Sequence, residues 1–172
     1  MQTKLILETE NLTLSEAKIS DAPFIFNLLN SPNWLEFIGD RNIRNLQDAE
    51  KYIQDSLLKS YQENGFGLWK IQLKLAQTPV GLCGFLNRET FDFPDLGFAI
   101  LPEYEGFGYV SEVAKAAISY AKSDLSLGKI LAITNSTNLG SQRVLEKTGF
   151  GRNGEIKMDD ELLWLYEIAE SQ

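Results

Sequence analysis

The amino-acid sequence predicts an α+β domain built around a mostly antiparallel sheet. Over residues 69–75, apolar residues recur at every second position, which is typical of a strand that is buried on one face, and two further apolar runs follow up to residue 101. On both sides of this region, apolar residues recur at the spacing of a helix. One turn, Gly106-Phe107-Gly108, joins a predicted strand directly to a predicted helix and indicates a single β-α-β crossover.

The N-terminal third predicts one short strand followed by a helix. Leucines alternate with polar residues around residues 12–14, as in a half-buried strand. Ser20, followed by an acidic residue and a proline within residues 21–23, marks a helix start, because its hydroxyl can cap the helix and proline fits the first turn. We expect this helix to end near residue 30, where Ser31-Pro32 stops it.

A longer helix is predicted from Asn45 to the Asn64-Gly65 pair. Asn45 can cap this helix, Asp48 lies in its first turn, and the glycine can end it. Its apolar residues recur at helical spacing and give it one buried face: Leu46, Ala49, Ile53 and Leu57.

Three strands are predicted next, over residues 69–75, 80–86 and 95–101. The first directs four apolar side chains to one face: Trp69, Ile71, Leu73 and Leu75. The third is apolar on both faces, as expected of a central strand. Because the connections between the three are short, we expect an antiparallel meander.

The C-terminal part predicts helices and strands in alternation. Six apolar residues trace one helical face: Val110, Val113, Ala114, Ala117, Ile118 and Ala121. A strand is predicted over residues 129–134, a helix over 138–147 that Gly149 ends, and two final strands over 152–156 and 162–168. The predicted order is therefore β-α-α-β-β-β-α-β-α-β-β.

Composition excludes several kinds of chemistry. The 172 residues include no histidine and one cysteine, Cys83, so histidine-activated nucleophiles, imidazole metal sites and intrachain disulfides are excluded. Because 16 Lys and Arg stand against 24 Asp and Glu, the net charge of −8 disfavours nucleic acid and mildly favours cationic partners. The sequence contains neither an apolar run of about 18 residues nor a signal-peptide pattern, so we expect a cytoplasmic protein without membrane partners.

The glycine turn is either an anion site or a plain tight turn. Free N–H groups and the helix dipole at such a turn suit a phosphate or pyrophosphate. A G-x-G-x-x-G dinucleotide fingerprint does not fit, because Ser111 occupies the third glycine position and three meander strands precede the turn. A P-loop does not fit either, because no Gly-Lys-Ser/Thr follows.

Three sequence blocks resemble the GNAT N-acetyltransferases, most closely their RimJ/RimL-like branch. Residues 101–112, LPEYEGFGYVSE, are similar to the coenzyme A loop of the branch, P-E-Y-x-G-x-G-Y-x-T/S-E. Residues 138–150, NLGSQRVLEKTGF, are similar to N-x-x-S-x-x-V-L-E-K-x-G-F, and residues 95–98, DLGF, are similar to E/D-I/L-G-Y/F. The predicted order of elements agrees with this family over nearly the whole chain.

This resemblance implies the fold and the co-substrate. We expect a single GNAT domain over residues 1–172, with a twisted sheet of about seven strands flanked by about four helices. One parallel pair of strands, 95–101 and 129–134, is expected to splay apart and admit acetyl-CoA, without a metal. Backbone groups along the first of these strands would pair with the pantetheine arm: Phe98, Ala99 and Ile100. Amides of the turn would hold the pyrophosphate, with Ser111 nearby: Gly106, Phe107, Gly108 and Tyr109.

The resemblance also implies candidate catalytic residues. Ser141 would lie near the thioester sulfur and protonate the departing thiolate, and Asn138 would contact the cofactor arm. Because histidine is absent, Asp95 is the candidate general base, directly or through a water. Each has a purely structural alternative, since Asn138 can cap a helix, Ser141 can be an ordinary helical serine and Asp95 can be a solvated strand end. Four aromatic residues could wall an acceptor pocket or belong to the core: Trp34, Phe37, Trp69 and Trp164.

The chain departs from the wider superfamily near the cofactor loop. Glu103 occupies the position where Gln or Arg is usual, and Glu105 adds a second carboxylate beside the anion site. We therefore expect both side chains to tilt toward solvent and the cofactor affinity to depend on salt.

The predicted function is acetyl-CoA-dependent acetylation of a primary amine, either a protein N-terminal α-amine or a small cationic amine, by a monomer or homodimer. The alternative is a non-catalytic acyl-CoA-binding module on the same fold.

Overall fold

A single eight-stranded sheet organises residues 3–168, the part of the chain that the computed structural model describes. Its strands are β1 (Leu5–Glu8), β2 (Leu12–Ser15), β3 (Leu68–Leu73), β4 (Pro79–Leu86), β5 (Asp95–Ile100), β6 (Ile130–Asn135), β7 (Gly151–Met158) and β8 (Glu161–Ile168). They lie in the order β1-β2-β3-β4-β5-β6-β8-β7. Every neighbouring pair is antiparallel except β5 and β6, which are parallel. The α+β class, the meander and the single crossover are confirmed.

Helices cover both faces of this sheet. They are α1 (Ala22–Leu29), α2 (Pro32–Phe37), α3 (Leu46–Tyr52), α4 (Lys59–Asn64), α5 (Tyr109–Ser123) and α6 (Leu139–Lys147). A π-helical turn, Ile53–Leu58, joins α3 to α4 without a break, so five segments flank the sheet in residues 3–168 besides two 3₁₀ turns, Ile19–Asp21 and Pro102–Tyr104. No helix in this described range is long and apolar enough to cross a membrane.

Two local predictions were wrong, and two elements were missed. Ser20 does not cap α1, because it lies inside a 3₁₀ turn, Ile19–Asp21, whose last residue is the N-cap. The helix α1 ends at Leu29, as predicted, but Pro32 then begins a second helix, α2, with Ser31 as its N-cap, where the missing N–H of proline costs nothing. The strand β1 carries no alternating pattern and forms by pairing with β2. Leu75 was placed on the apolar face of β3, but the strand ends at Leu73 and the Leu75 side chain is 100% exposed in the following turn.

Two hydrophobic cores lie on opposite faces of the sheet. On one face, α5 presents the apolar residues that its periodicity predicted: Val113, Ala114, Ala117, Ile118 and Ala121. Trp69 of β3 lies in this core, edge-on to Phe85 and Tyr120. On the other face, the helices α1 to α4 cover a second core that includes Trp34 and Leu82. The strand β5 runs between the two cores and is followed by a 3₁₀ turn, Pro102–Tyr104, and then by the glycine turn.

Candidate active site

A wedge opens between the parallel strands β5 and β6. Their register contains one pair, Asp95 with Leu131, and the Leu131 N–H donates to the Pro94 carbonyl at 2.9 Å. No further pairing between these strands is present in the described residues, whereas β4 pairs with β5 along its whole length. The two strands therefore diverge after Asp95, which lies at the narrow end of the wedge.

The hydrogen bonds of β5 decide which backbone groups face the wedge. The Leu101 N–H donates to the Val80 carbonyl of β4 at 2.8 Å. Because backbone groups point to alternate sides along a strand, those of Ala99 also face β4, while those of Phe98 and Ile100 face β6. Two of the three residues expected to pair with an extended arm thus present free groups to the wedge, and Ala99 can line it only with its side chain.

The glycine turn presents unpaired amides at the wide end of the wedge. Gly106 and Gly108 have φ values of +85° and +78°, which side-chain-bearing residues rarely adopt. Gly108 is the N-cap of α5, and the first bond of this helix runs from the Glu112 N–H to the Gly108 carbonyl at 3.0 Å. The amides of Tyr109 to Ser111 therefore have no helical partner. Phe107 projects its ring outward, 65% exposed and stacked on Tyr109.

The first turn of α6 lies beyond β6, the other strand of the wedge. Asn138 caps this helix by accepting a hydrogen bond from the Ser141 N–H at 3.2 Å, which confirms its predicted capping role. The Ser141 hydroxyl is half-buried and makes no hydrogen bond within residues 3–168. Buried Gln142 holds the β6–α6 connection by donating to the Asn135 and Ser136 carbonyls.

Asp95 is a buried, ion-paired carboxylate rather than a solvated strand end. It is 1% exposed, and the Arg88 Nε donates to its two oxygens at 3.1 and 3.2 Å. Burial raises the pKa of Asp95 to about 6, against the lowering effect of the Arg88 guanidinium. The carboxylate is thus largely ionised at neutral pH yet ready to accept a proton. Sequence reasoning missed Arg88, because nothing in its local pattern marks a partner seven residues away.

The sequence profile of the GNAT acetyltransferase domain matches residues 11–151. The chain belongs to the GNAT family of acetyltransferases. Its sequence is 30% identical over 153 residues to YoaA, an uncharacterised N-acetyltransferase of Bacillus subtilis. The aligned region covers 88% of this chain and 86% of that protein. Family and relatives identify an N-acetyltransferase enzyme.

Solved GNAT structures share the whole fold. A ribosomal-protein-S5-alanine acetyltransferase from Vibrio fischeri superposes with a TM-score of 0.82 at 20% identity and covers 100% of this chain and 98% of its own. AAC(6')-Ib, solved with paromomycin and acetyl-CoA, superposes with a TM-score of 0.76 at 17% identity. The superposition covers 93% of this chain and 94% of that one. The predicted resemblance to the RimJ/RimL-like branch is therefore matched among structures of this fold.

Some of the four aromatic residues considered for an acceptor pocket, and Cys83, lie in the core of this GNAT domain, and others lie nearer its surface. Trp69 and Trp34 are core residues, one on each face of the sheet, and Phe37 is half-buried at the end of α2. The Arg152 guanidinium lies 3.7 Å from the centre of the Trp164 ring. Cys83 is fully buried, and burial raises the pKa of its thiol to about 12, so it remains a neutral apolar side chain.

A cavity of about 240 Å³ lies apart from the GNAT wedge. Its walls come from residues 41–43 of the α2–α3 connection and from the helix that follows: Asp48, Lys51, Tyr52 and Asp55. No lining residue belongs to β5, the glycine turn or α6. Within residues 3–168, no group of three Cys, Asp or Glu residues is arranged to hold a metal ion.

The raised pKa of Asp95 predicts a pH-dependent stability difference between the wild type and Asp95→Asn. Between the ordinary value of 3.8 and about 6, the folded state binds more protons than the unfolded state, so the wild type loses stability as pH rises. The asparagine variant lacks this loss. Its free energy of unfolding relative to wild type should therefore increase by about 2 kcal/mol between pH 4 and pH 7. Urea unfolding at four pH values measures it, and a constant difference contradicts it.

Proposed function

We propose that this N-acetyltransferase uses acetyl-CoA and transfers the acetyl group to a primary amine by direct attack on the thioester. The observation that carries the proposal is that two sets of unpaired backbone groups follow each other along the chain. Phe98 and Ile100 of β5 face the wedge, and the free amides of the glycine turn come after β5 and a short 3₁₀ turn, Pro102–Tyr104. An extended arm with a diphosphate at one end fits this arrangement. AAC(6')-Ib, which has this fold, was solved with acetyl-CoA.

The proposed binding roles follow from this arrangement. The backbone groups of Phe98 and Ile100 pair with the pantetheine arm, beside the side chain of Ala99. The turn amides hold the diphosphate: Gly106, Phe107, Gly108, Tyr109 and Ser111. Asn138, already a helix cap, contacts the arm with the amide nitrogen of its side chain. Since the arm runs back along β5 from the turn, its thioester end lies toward Asp95.

The proposed reaction transfers two protons, one away from the attacking amine and one to the departing thiolate. The neutral amine nitrogen attacks the thioester carbon, the new C–N bond forms, and the C–S bond breaks. Asp95 takes the proton that the amine loses, directly or through one water, and Ser141 donates its proton to the departing thiolate and regains one from solvent. Backbone N–H groups of β5 polarise the thioester carbonyl.

The acceptor class follows from the strength of this base. Deprotonating an α-amine of pKa near 8 at pH 7 costs about 1.4 kcal/mol, against about 4.6 kcal/mol for a lysine. A carboxylate with a pKa of about 6 is matched to the first of these tasks. We therefore favour a protein N-terminal α-amine or a small cationic amine, in line with the net charge of −8. Solved proteins of this fold include enzymes named for ribosomal proteins and one bound to paromomycin.

A panel assay tests the proposed function. The protein is incubated with acetyl-CoA and a set of amino acids, polyamines, aminoglycosides and basic peptides, and free thiol is measured. We expect thiol release that depends on one acceptor class. Thermal stabilisation by acetyl-CoA without turnover across the panel would instead identify the acyl-CoA-binding module.

Replacing Ser141 by alanine should lower kcat about tenfold and leave acetyl-CoA affinity unchanged. The thiolate can leave without help because its thiol pKa is near 8.5, so the loss stays moderate. Steady-state thiol release measures kcat, and Ser136→Ala, an exposed serine on the β6–α6 connection, is the matched control. Unchanged turnover in the Ser141 variant removes its proposed acid role.

A further inference from the structure

A carboxylate stands immediately beside the proposed diphosphate site. Glu105 directly precedes Gly106, and its backbone is extended, with φ −72° and ψ 152°. If its side chain turned toward the amides of Tyr109 to Ser111, it would occupy or repel the anion that they are proposed to bind. The placement of this one side chain therefore matters for cofactor affinity.

The structure ties this carboxylate to the opposite side of the sheet. The Asn33 Nδ2 donates a hydrogen bond to the Glu105 Oε1. Asn33 belongs to α2, and its neighbour Trp34 is 4% exposed in the core that α1 to α4 cover. The free amides belong to α5, which packs in the core on the other face. The bond thus directs the charge toward α2 and away from the amino end of α5.

A second carboxylate of this segment is restrained in the same way. Glu112, in the first turns of α5, accepts hydrogen bonds from the Thr9 hydroxyl and from the backbone and side-chain amides of Asn11. Its burial raises the pKa, but these hydrogen bonds outweigh that effect and lower it, so the group stays ionised. Neutral donors hold Glu105 and Glu112. Glu103, by contrast, is exposed and its side chain makes no hydrogen bond within the described range.

We propose that Asn33 is a positioning residue for cofactor binding, which holds the Glu105 carboxylate away from the diphosphate of acetyl-CoA. The inference rests on the proposed function, since it requires the diphosphate to bind at the glycine turn. A neutral amide holds the carboxylate without adding a charge of its own beside the site. The role is electrostatic and acts through Glu105 alone.

Calorimetric titration of acetyl-CoA into four proteins tests the inference. At about 20 mM salt, Asn33→Ala should weaken binding about threefold, because the freed carboxylate samples positions near the diphosphate. Glu105→Gln should bind at least as tightly as wild type. The double variant should equal Glu105→Gln, since no charge remains to be held. At about 0.5 M salt, where charges are screened within a few ångströms, all four proteins should converge.

Controls separate this role from a structural one. Asn33→Ala in a Glu103→Gln background should still show the threefold loss, because Glu103 has no bond to Asn33. A loss that persists in the Glu105→Gln background or at high salt overturns the inference, as does wild-type affinity in Asn33→Ala at low salt. Absence of binding by the wild type overturns the proposed function itself, and the inference with it.

Discussion

Replacing Gly106 and Gly108 together by valine should weaken acetyl-CoA binding by at least about thirtyfold. Both positions have φ values near +80°, and a β-branched residue in the left-handed region costs about 1–2 kcal/mol at each. The turn then relaxes to another conformation, and binding must restore it at a cost of about 2–4 kcal/mol, which corresponds to a thirtyfold or greater loss of affinity. The cofactor-induced shift of the unfolding temperature measures the loss.

A matched glycine separates the loss of the turn from general strain. Gly65 has a φ of +76° and, like Gly106 and Gly108, open space where a Cβ would lie. It ends α4 and belongs neither to the glycine turn nor to the strands β5 and β6. Gly65→Val should therefore reduce the unfolding temperature of the free protein without changing acetyl-CoA affinity. Equal affinity in the Gly106/Gly108 double variant and the wild type would show that the turn is only a tight turn.

Asp95→Asn should lower kcat by about a hundredfold or more and leave acetyl-CoA affinity within about twofold of wild type. An amide cannot accept the amine proton, and general bases contribute about 10²- to 10⁴-fold. Wild-type kcat should rise with pH through an apparent pKa of about 6, because the carboxylate must be ionised to act as a base. The kcat of the variant should not show this rise. Thiol release from pH 5 to pH 9 at saturating acetyl-CoA measures both.

Asp92 provides the control for this experiment. It is an exposed acid three residues earlier, on the connection between β4 and β5, so Asp92→Asn should keep the wild-type rate and pH profile. If Asp95→Asn kept the wild-type kcat and the same rise of kcat with pH, another group would be the base.

The elements that sequence predicted well are those whose pattern is local. The apolar face of α5 and the cap of α6 depend on the spacing of a few neighbouring residues, and both are confirmed. The same holds for the turn, since positive φ values at Gly106 and Gly108 require glycine. The strand β1 was missed because its pairing with β2, rather than any alternation, makes it a strand.

Contacts between distant segments were not predictable from the sequence. The burial of Asp95 results from its position between β4 and β6, and its partner Arg88 comes from the connection between β4 and β5. The bond from Asn33 to Glu105 joins residues 72 positions apart, on a helix that the sequence did not predict. Such pairings depend on the packed sheet, not on local pattern.

Titration of acetyl-CoA into the wild-type protein tests the central claim most directly. If the backbone groups in the wedge and at the glycine turn bind the arm and the diphosphate, calorimetry should show saturable binding with one site per chain, and the unfolding temperature should rise with ligand concentration. Neither heat nor a shift of the unfolding temperature at millimolar acetyl-CoA would contradict the account.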